Sequence, residues 1–377
     1  MPFSMKANPF LKQLKPYQTG KPIEELVREL GFSPEEVVKL ASNENPLGPS
    51  PKGVEKARES LESSHRYPDA QQFDLRKALA KKHGLSDDCF VAGNGSNDLI
   101  EFLIRGFCEP GSNMVVSKSA FAIYKIVGMI CGVDVREAQV RGSMEGEGFS
   151  NFQFDLNAMA ELVDENTRLV FVDNPNNPSG TLVSTDGLDP FVERVSRFKD
   201  CLIVMDQAYE EFVDRSDYRT TAEWVNHQEN IVVLRTFSKA YGLAGLRVGY
   251  AACSPKISFY LNQIRPPFNV SIPAQAAACA ALDDDEHVKR TTDLNRRMMD
   301  DLEKECARMG IVHPKSYANF VLLDMKRDGK VVYEELLKEG VITRPMAGYG
   351  FHRHLRINTG TEKETQKLVE KLEKVYG

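Results

Sequence analysis

The sequence predicts an α/β protein: a large, mainly parallel sheet layered by helices, joined to a smaller α+β unit built from both chain ends. Three observations carry that expectation. The runs RLVFVD (168–173), CLIVMD (201–206) and IVVLRT (231–236) are apolar, of strand length, and stop abruptly in polar, turn-prone residues, which is how buried parallel strands read. Through most of the chain, strand-like runs alternate with helical patterns, as βαβ units do. Beyond an alanine-rich stretch near residue 280, a long amphipathic helix and then short strands mixed with helices follow instead. The 377 residues leave room for two or three domains. We expect an arm and part of the small domain over 1–42, the large domain over 43–280 and the rest of the small domain over 281–377.

Taken in order, an N-terminal arm containing Tyr17 leads into KPIEELVREL, a short amphipathic helix that Gly31 stops. VVKLA from Val37 is a short strand, and SNENPLGPSP, with Asn45, is a Pro/Gly/Asn loop. Tyr67 precedes Pro68, which biases it to extended geometry, and a helix runs from about Phe73 to His83. CFVAGNGSNDLIEFLIRGF supplies strand, Gly-rich turn and helix, and amides at that helix start suit a phosphate. The same stretch only half-matches a dinucleotide fingerprint, because its third glycine position is Asp98. NMVVSKSAFAIYKIVGMICGVDV reads as strand, helix, strand, with Phe121 early in the helix, and RGSMEGEGFSNFQFD as a polar loop between βαβ units.

After the three site strands come a helix, a proline break at Pro266-Pro267 and the alanine-rich helix. Asp283 to Met309 places Leu294, Met298, Leu302 and Cys306 at helical spacing. ANFVLLDM, GVITRPM and HLRINTGT read as strands, EELLKEG as a helix, and TEKETQKLVEKLEKVY as the closing helix. His352 and His354 read as a polar loop flanking Arg353, without a third ligand for a metal.

Composition narrows the function classes. Hydrophobic residues at 42% and charged residues at 27% are those of an ordinary globular protein. A net charge of -6 without a sustained basic run argues against a nucleic-acid partner. No apolar stretch approaches the ~18 to 20 residues that span a bilayer, and the opening residues lack a signal-peptide pattern. The seven cysteines, at 89, 108, 131, 201, 253, 279 and 306, show no CxxC spacing. They read as reduced core residues of a cytoplasmic protein, with no metal site.

The candidate site centres on Lys239, just beyond the strand that ends at Thr236. A lysine after a strand is ordinarily a surface residue; its neighbours change the reading. In an open α/β sheet, ligands sit beyond the carboxyl ends of the parallel strands. There the three runs deliver an amide (Asn177), a carboxylate and a phenol (Asp206, Tyr209) and an amine. A buried lysine near another cation, here Arg247, favours its neutral amine and becomes a Schiff-base nucleophile. These groups fit pyridoxal 5'-phosphate: the acid for the pyridine nitrogen, the amide and phenol for the ring oxygen, the amine for the aldehyde.

In their order, NNPSG, DQAYEEF and TFSKAYGLAGLRVGY resemble the fold type I pyridoxal phosphate-dependent aminotransferases, and within them the histidinol-phosphate aminotransferases, from KPYQTGKP to LRINTGT. The resemblance implies the fold type I architecture and assigns further roles. Ser96, Asn97 and Arg247 match positions on the cofactor phosphate, with hydroxyls from Thr236 and Ser238 beside them. Phe121 matches a residue that stacks on the pyridine ring, often a tyrosine, so stacking is kept and the hydroxyl lost. Tyr67 matches a residue that reaches the cofactor phosphate of the other subunit, which implies a homodimer. Tyr17, Asn45, Arg344 and Arg356 match substrate-binding positions, the arginines because a planar fork grips a carboxylate or phosphate. Gln207 stands where the family often has glutamate.

The implied reaction converts L-histidinol phosphate and 2-oxoglutarate to imidazole acetol phosphate and glutamate. Several alternatives stay open on the same residues. An aromatic amino-acid aminotransferase and a threonine-phosphate decarboxylase share the lysine segment. Outside that class stand a non-catalytic module that senses the cofactor and a nicotinamide-dependent dehydrogenase using GNGSND.

Overall fold

A computed structural model of the chain describes residues 20–376. Its largest sheet contains β1 (Phe90–Gly93), β2 (Asn113–Ser117), β3 (Asp134–Ala138), β4 (Thr167–Asp173), β5 (Leu202–Asp206), β6 (Ile231–Thr236) and β7 (Gly249–Cys253). They lie in the order β1-β7-β6-β5-β4-β2-β3. β7 is antiparallel to both neighbours, and every other pairing is parallel. Alternate residues of the central strands enter two cores, one on each face. Val170, Val172, Ile203, Met205 and Val233 belong to the first, Leu169, Phe171, Val204, Val232 and Leu234 to the second. Burial on both faces is why these strands read as continuous apolar runs rather than alternating ones.

A second sheet holds β8 (Phe320–Asp324), β9 (Arg344–Met346) and β10 (Phe351–Asn358), ordered β8-β10-β9 and antiparallel throughout. Its core combines Val38 and Leu40 with Leu302, Cys306, Val321, Leu355 and Leu368, so the two ends of the described chain meet there. The helix Asp285–Met309 bridges the two regions. Near its start, Asp284 accepts a 2.6 Å hydrogen bond from Ser50, and towards its end Leu302 and Cys306 enter the smaller core.

Three places depart from the sequence reading. PKGVEKARES forms the helix Pro51–Ser60, which has only Gly53 buried and so shows no apolar stripe. It is started by Pro51 and by the Ser50 hydroxyl, which accepts from the Gly53 amide at 3.1 Å. The polar segment after β3 contains a short hairpin, Val140–Arg141 with Gln153–Phe154, and lodges Phe149 and Phe152 against Leu322, Met346 and Phe351. His352 and His354 lie within β10, not in a loop. His354 is buried with its ring 4.4 Å from that of Phe149, and burial pushes its pKa down to about 4. It is a neutral core side chain, hidden in the sequence by its charged neighbours.

Candidate active site

The carboxyl ends of β4, β5 and β6 open into one cavity of about 340 Å³. Parallel register makes this possible: Asp173, the last residue of β4, is the partner of Asp206, the last of β5. Beyond β6 the chain turns and presents Ser238 and Lys239 to the same space. The Lys239 amine donates to the Ser42 carbonyl at 3.3 Å and lies 5.8 Å from the centre of the Tyr209 ring. Burial, followed by the charge of Arg356, lowers its pKa to about 8, so roughly a tenth is neutral at pH 7.

Asp206 is buried, and burial raises its pKa against the hydrogen bonds it accepts from the Tyr124 hydroxyl (2.6 Å) and the Ala208 amide (3.1 Å). A carboxylate held this way at a cavity wall suits a cationic group inside it. Asp173 accepts from the Asn177 amide (3.0 Å), the Asn176 side chain (3.1 Å) and the Phe121 amide (3.3 Å). It thereby fixes two neighbouring parts of the site, and burial raises its pKa to about 8. Asn177 accepts from Arg356 at 2.6 Å, and the Tyr209 hydroxyl accepts from Asn43 at 2.9 Å.

At the other end of the cavity, Ser96 and Asn97 open the helix Ser96–Phe107. A Cβ on Gly95 would collide with the Arg247 guanidinium, and one on Gly249 would lie 2.6 Å from the Ser96 nitrogen. The two glycines let a guanidinium and a helix N-terminus converge, which is a cradle for a phosphate. Arg247 donates to the Ser238 hydroxyl at 3.4 Å, and Thr236 accepts from the Ser238 amide at 3.1 Å. Arg344 and Arg356 are register partners across β9 and β10, both buried and both bordering the cavity. Arg356 also donates to the Ala41 carbonyl at 3.0 Å.

Three expected residues do not line the described cavity, for different reasons. Asn45 does not border the cavity: its amide donates to the Ala240 carbonyl (2.9 Å) and the Thr291 hydroxyl (3.0 Å), bracing the loop against the long helix. Tyr67 is 81% exposed and stacks on Phe268 at 4.7 Å, away from the cavity of its own subunit. Tyr17 lies outside the described residues. Conversely, Tyr124, Asp173, Asn43 and Glu44 border the cavity without having been singled out. Tyr124 could have been found, since it falls three residues after Phe121, on the same side of a helix turn.

These residues fit pyridoxal phosphate. A buried carboxylate faces where a ring nitrogen would be, an amide and a phenol stand beside a lysine amine, and the glycine-cleared cradle would take the phosphate. An amine, an acid and an amide on adjacent strand ends, with that cradle, define an α/β site of the fold type I class. The chain belongs to the aminotransferase class I and II family, whose model matches residues 35–372. It is 43% identical over 373 residues to histidinol-phosphate aminotransferase 2 of Pseudomonas fluorescens, covering 99% of this chain and 98% of that one. The histidinol-phosphate aminotransferase of Methylobacillus flagellatus is 42% identical, with 97% and 96% covered. Among solved structures, the histidinol-phosphate aminotransferase of Sinorhizobium meliloti in complex with pyridoxal 5'-phosphate superposes with a TM-score of 0.86 at 25% identity. That match covers 100% of this chain and 98% of the other.

Proposed function

We propose that this enzyme transfers the amino group of L-histidinol phosphate to 2-oxoglutarate with bound pyridoxal phosphate, giving imidazole acetol phosphate and glutamate. The observation that carries the reading is one cavity in which Lys239 stands with Arg344 and Arg356, in a chain similar along nearly its whole length to histidinol-phosphate aminotransferases. When bound, the cofactor supplies an electron-accepting ring. Lys239 would hold it, and as an amine Lys239 would take the proton from the substrate α-carbon as general base and return one as general acid. A pKa of about 8 suits both tasks. Asp206, oriented by Tyr124, keeps a negative charge beside the ring nitrogen. Asn177 and Tyr209 would hold the ring oxygen, Phe121 would stack on the ring, and Ser96, Asn97, Thr236, Ser238 and Arg247 would take the cofactor phosphate. Arg344 and Arg356 bind a carboxylate of glutamate in one half-reaction and the phosphate of histidinol phosphate in the other.

The same reading makes the protein a cytoplasmic homodimer, with the large unit over 43–280 and the small unit from both ends. No helix among the described residues is long and apolar enough to cross a membrane. Two exposed aromatic pairs, Tyr67 with Phe268 and Phe259 with Tyr260, suit a partner surface. In the dimer, the partner subunit's Tyr67 completes the cofactor phosphate site. A substrate panel tests the chemistry: turnover is expected to favour histidinol phosphate over phenylalanine. The reverse ratio selects the aromatic enzyme, and carbon dioxide release from threonine phosphate selects the decarboxylase. Mixing Lys239→Ala with Tyr67→Ala subunits tests the shared site, since hybrid dimers regain one intact centre only if Tyr67 acts across the interface.

A further inference from the structure

The loop carrying Glu44 is anchored on both sides. Asn43 is buried with φ 54°, in the left-handed region that residues other than glycine seldom occupy. Its backbone N–H donates to Asn358 (3.1 Å), its side chain to the Tyr209 hydroxyl (2.9 Å), and its carbonyl accepts from Asn319 (3.1 Å). On the other side Asn45 is held by the Ala240 carbonyl and Thr291. Between these two fixed amides, the Glu44 side chain is 46% exposed and borders the cavity. So many partners fix the backbone on either side of Glu44 in one conformation.

Charge singles out the same residue. Three carboxylates border the cavity among the described residues: Asp173, Asp206 and Glu44. The first two are buried at strand ends, where the cofactor ring is assigned. Glu44 is the half-exposed one. It acts on the Lys239 amine more strongly than any other charge except Arg356. Lys39, itself only 21% exposed, donates to both of its oxygens at 3.0 and 3.1 Å, and the carboxylate keeps lone pairs for a further donor from the cavity side.

We propose that Glu44 determines specificity by accepting the N–H of the substrate's imidazole ring. The inference rests on the reading of histidinol phosphate as substrate. That molecule branches at the carbon bearing the amine, with a phosphate on one arm and imidazole on the other. Once the arginines grip the phosphate, the ring arm is left to the rest of the cavity border, where Glu44 is the half-exposed carboxylate among the described residues. A carboxylate there favours a ring that donates a hydrogen bond, and more so one that is protonated. A phenyl ring in its place displaces water from the carboxylate and offers it no donor beyond Lys39.

The test compares Glu44→Gln and Glu44→Ala with the wild-type enzyme on histidinol phosphate and on phenylalaninol phosphate, which differs only in its ring. The ratio of kcat/KM between the two substrates is expected to fall about tenfold in both variants. The fall should be larger near pH 6 than near pH 8, because imidazole titrates at about pH 6.5. An unchanged ratio, or a ratio that changes equally at both pH values, overturns the role of Glu44. A wild-type enzyme inert towards histidinol phosphate overturns the functional reading itself, and this inference with it.

Discussion

The two sheets deliver ionisable groups to one cavity by different means. In the seven-stranded sheet, Asp173, Asp206 and Lys239 stand at or just past strand ends, where the chain leaves the ladder. In the three-stranded sheet, Arg344 and Arg356 sit within strands, opposite each other in antiparallel register. A strand end turns register directly into site geometry while the apolar faces behind it stay intact. A buried arginine within a strand needs partners already in place, and Arg356 finds them in Asn177 and the Ala41 carbonyl. The first arrangement suits groups that do the chemistry. The second suits groups that grip an anion.

Substitutions can break or sharpen that contrast. Lys239→Ala is expected to cost roughly 10³-fold or more in kcat and to abolish the visible absorbance of the lysine-bound cofactor; a loss confined to KM would erase the distinction. In the wild-type apoprotein, cofactor capture should quicken as the pH rises, with its midpoint at about pH 8, where half of the amine is neutral. Arg356→Lys, which exchanges a fork for a point charge, should raise KM about tenfold for both substrates with a smaller effect on kcat. Tyr124→Phe removes one donor to Asp206 and should lower kcat about fivefold, the equivalent of ~1 kcal/mol, with KM little changed.

The smallest effect belongs to the region where the smaller sheet meets the hairpin, and is read as stability. The folded-state pKa of His354 is depressed to about 4, so its contribution is intact above its unfolded value of about 6.5 and is lost as pH falls towards 4. His354→Leu should flatten the melting temperature across that window by a few degrees, about what ~1 kcal/mol is worth in a chain of this size. Equal pH slopes in both proteins would place the titrating group elsewhere.

Much of the large sheet was legible because strands buried on both faces announce themselves as continuous apolar runs, and because Asp206 and Lys239 interrupt those runs abruptly. The helix Pro51–Ser60 was not, since a helix that packs through a glycine has no apolar stripe to read. Asn45 was visible as a loop residue, yet its partners, Ala240 and Thr291, lie about two hundred residues away in sequence. His354 was obscured by the charged residue beside it, although its own side chain faces Phe149 and Phe351.

By itself, the sequence determined the layered α/β class, the strand ends that carry the amine, acid and amide, and the Gly-rich turn before a helix start that suits a phosphate, because these follow from local periodicity and turn chemistry. Only the tertiary structure decided that Tyr124 orients Asp206, that Arg344 faces Arg356, and that a left-handed Asn43 holds Glu44 at the cavity border. Those are relations between residues far apart in the chain, and they exist only once packing has brought the segments within hydrogen-bonding distance.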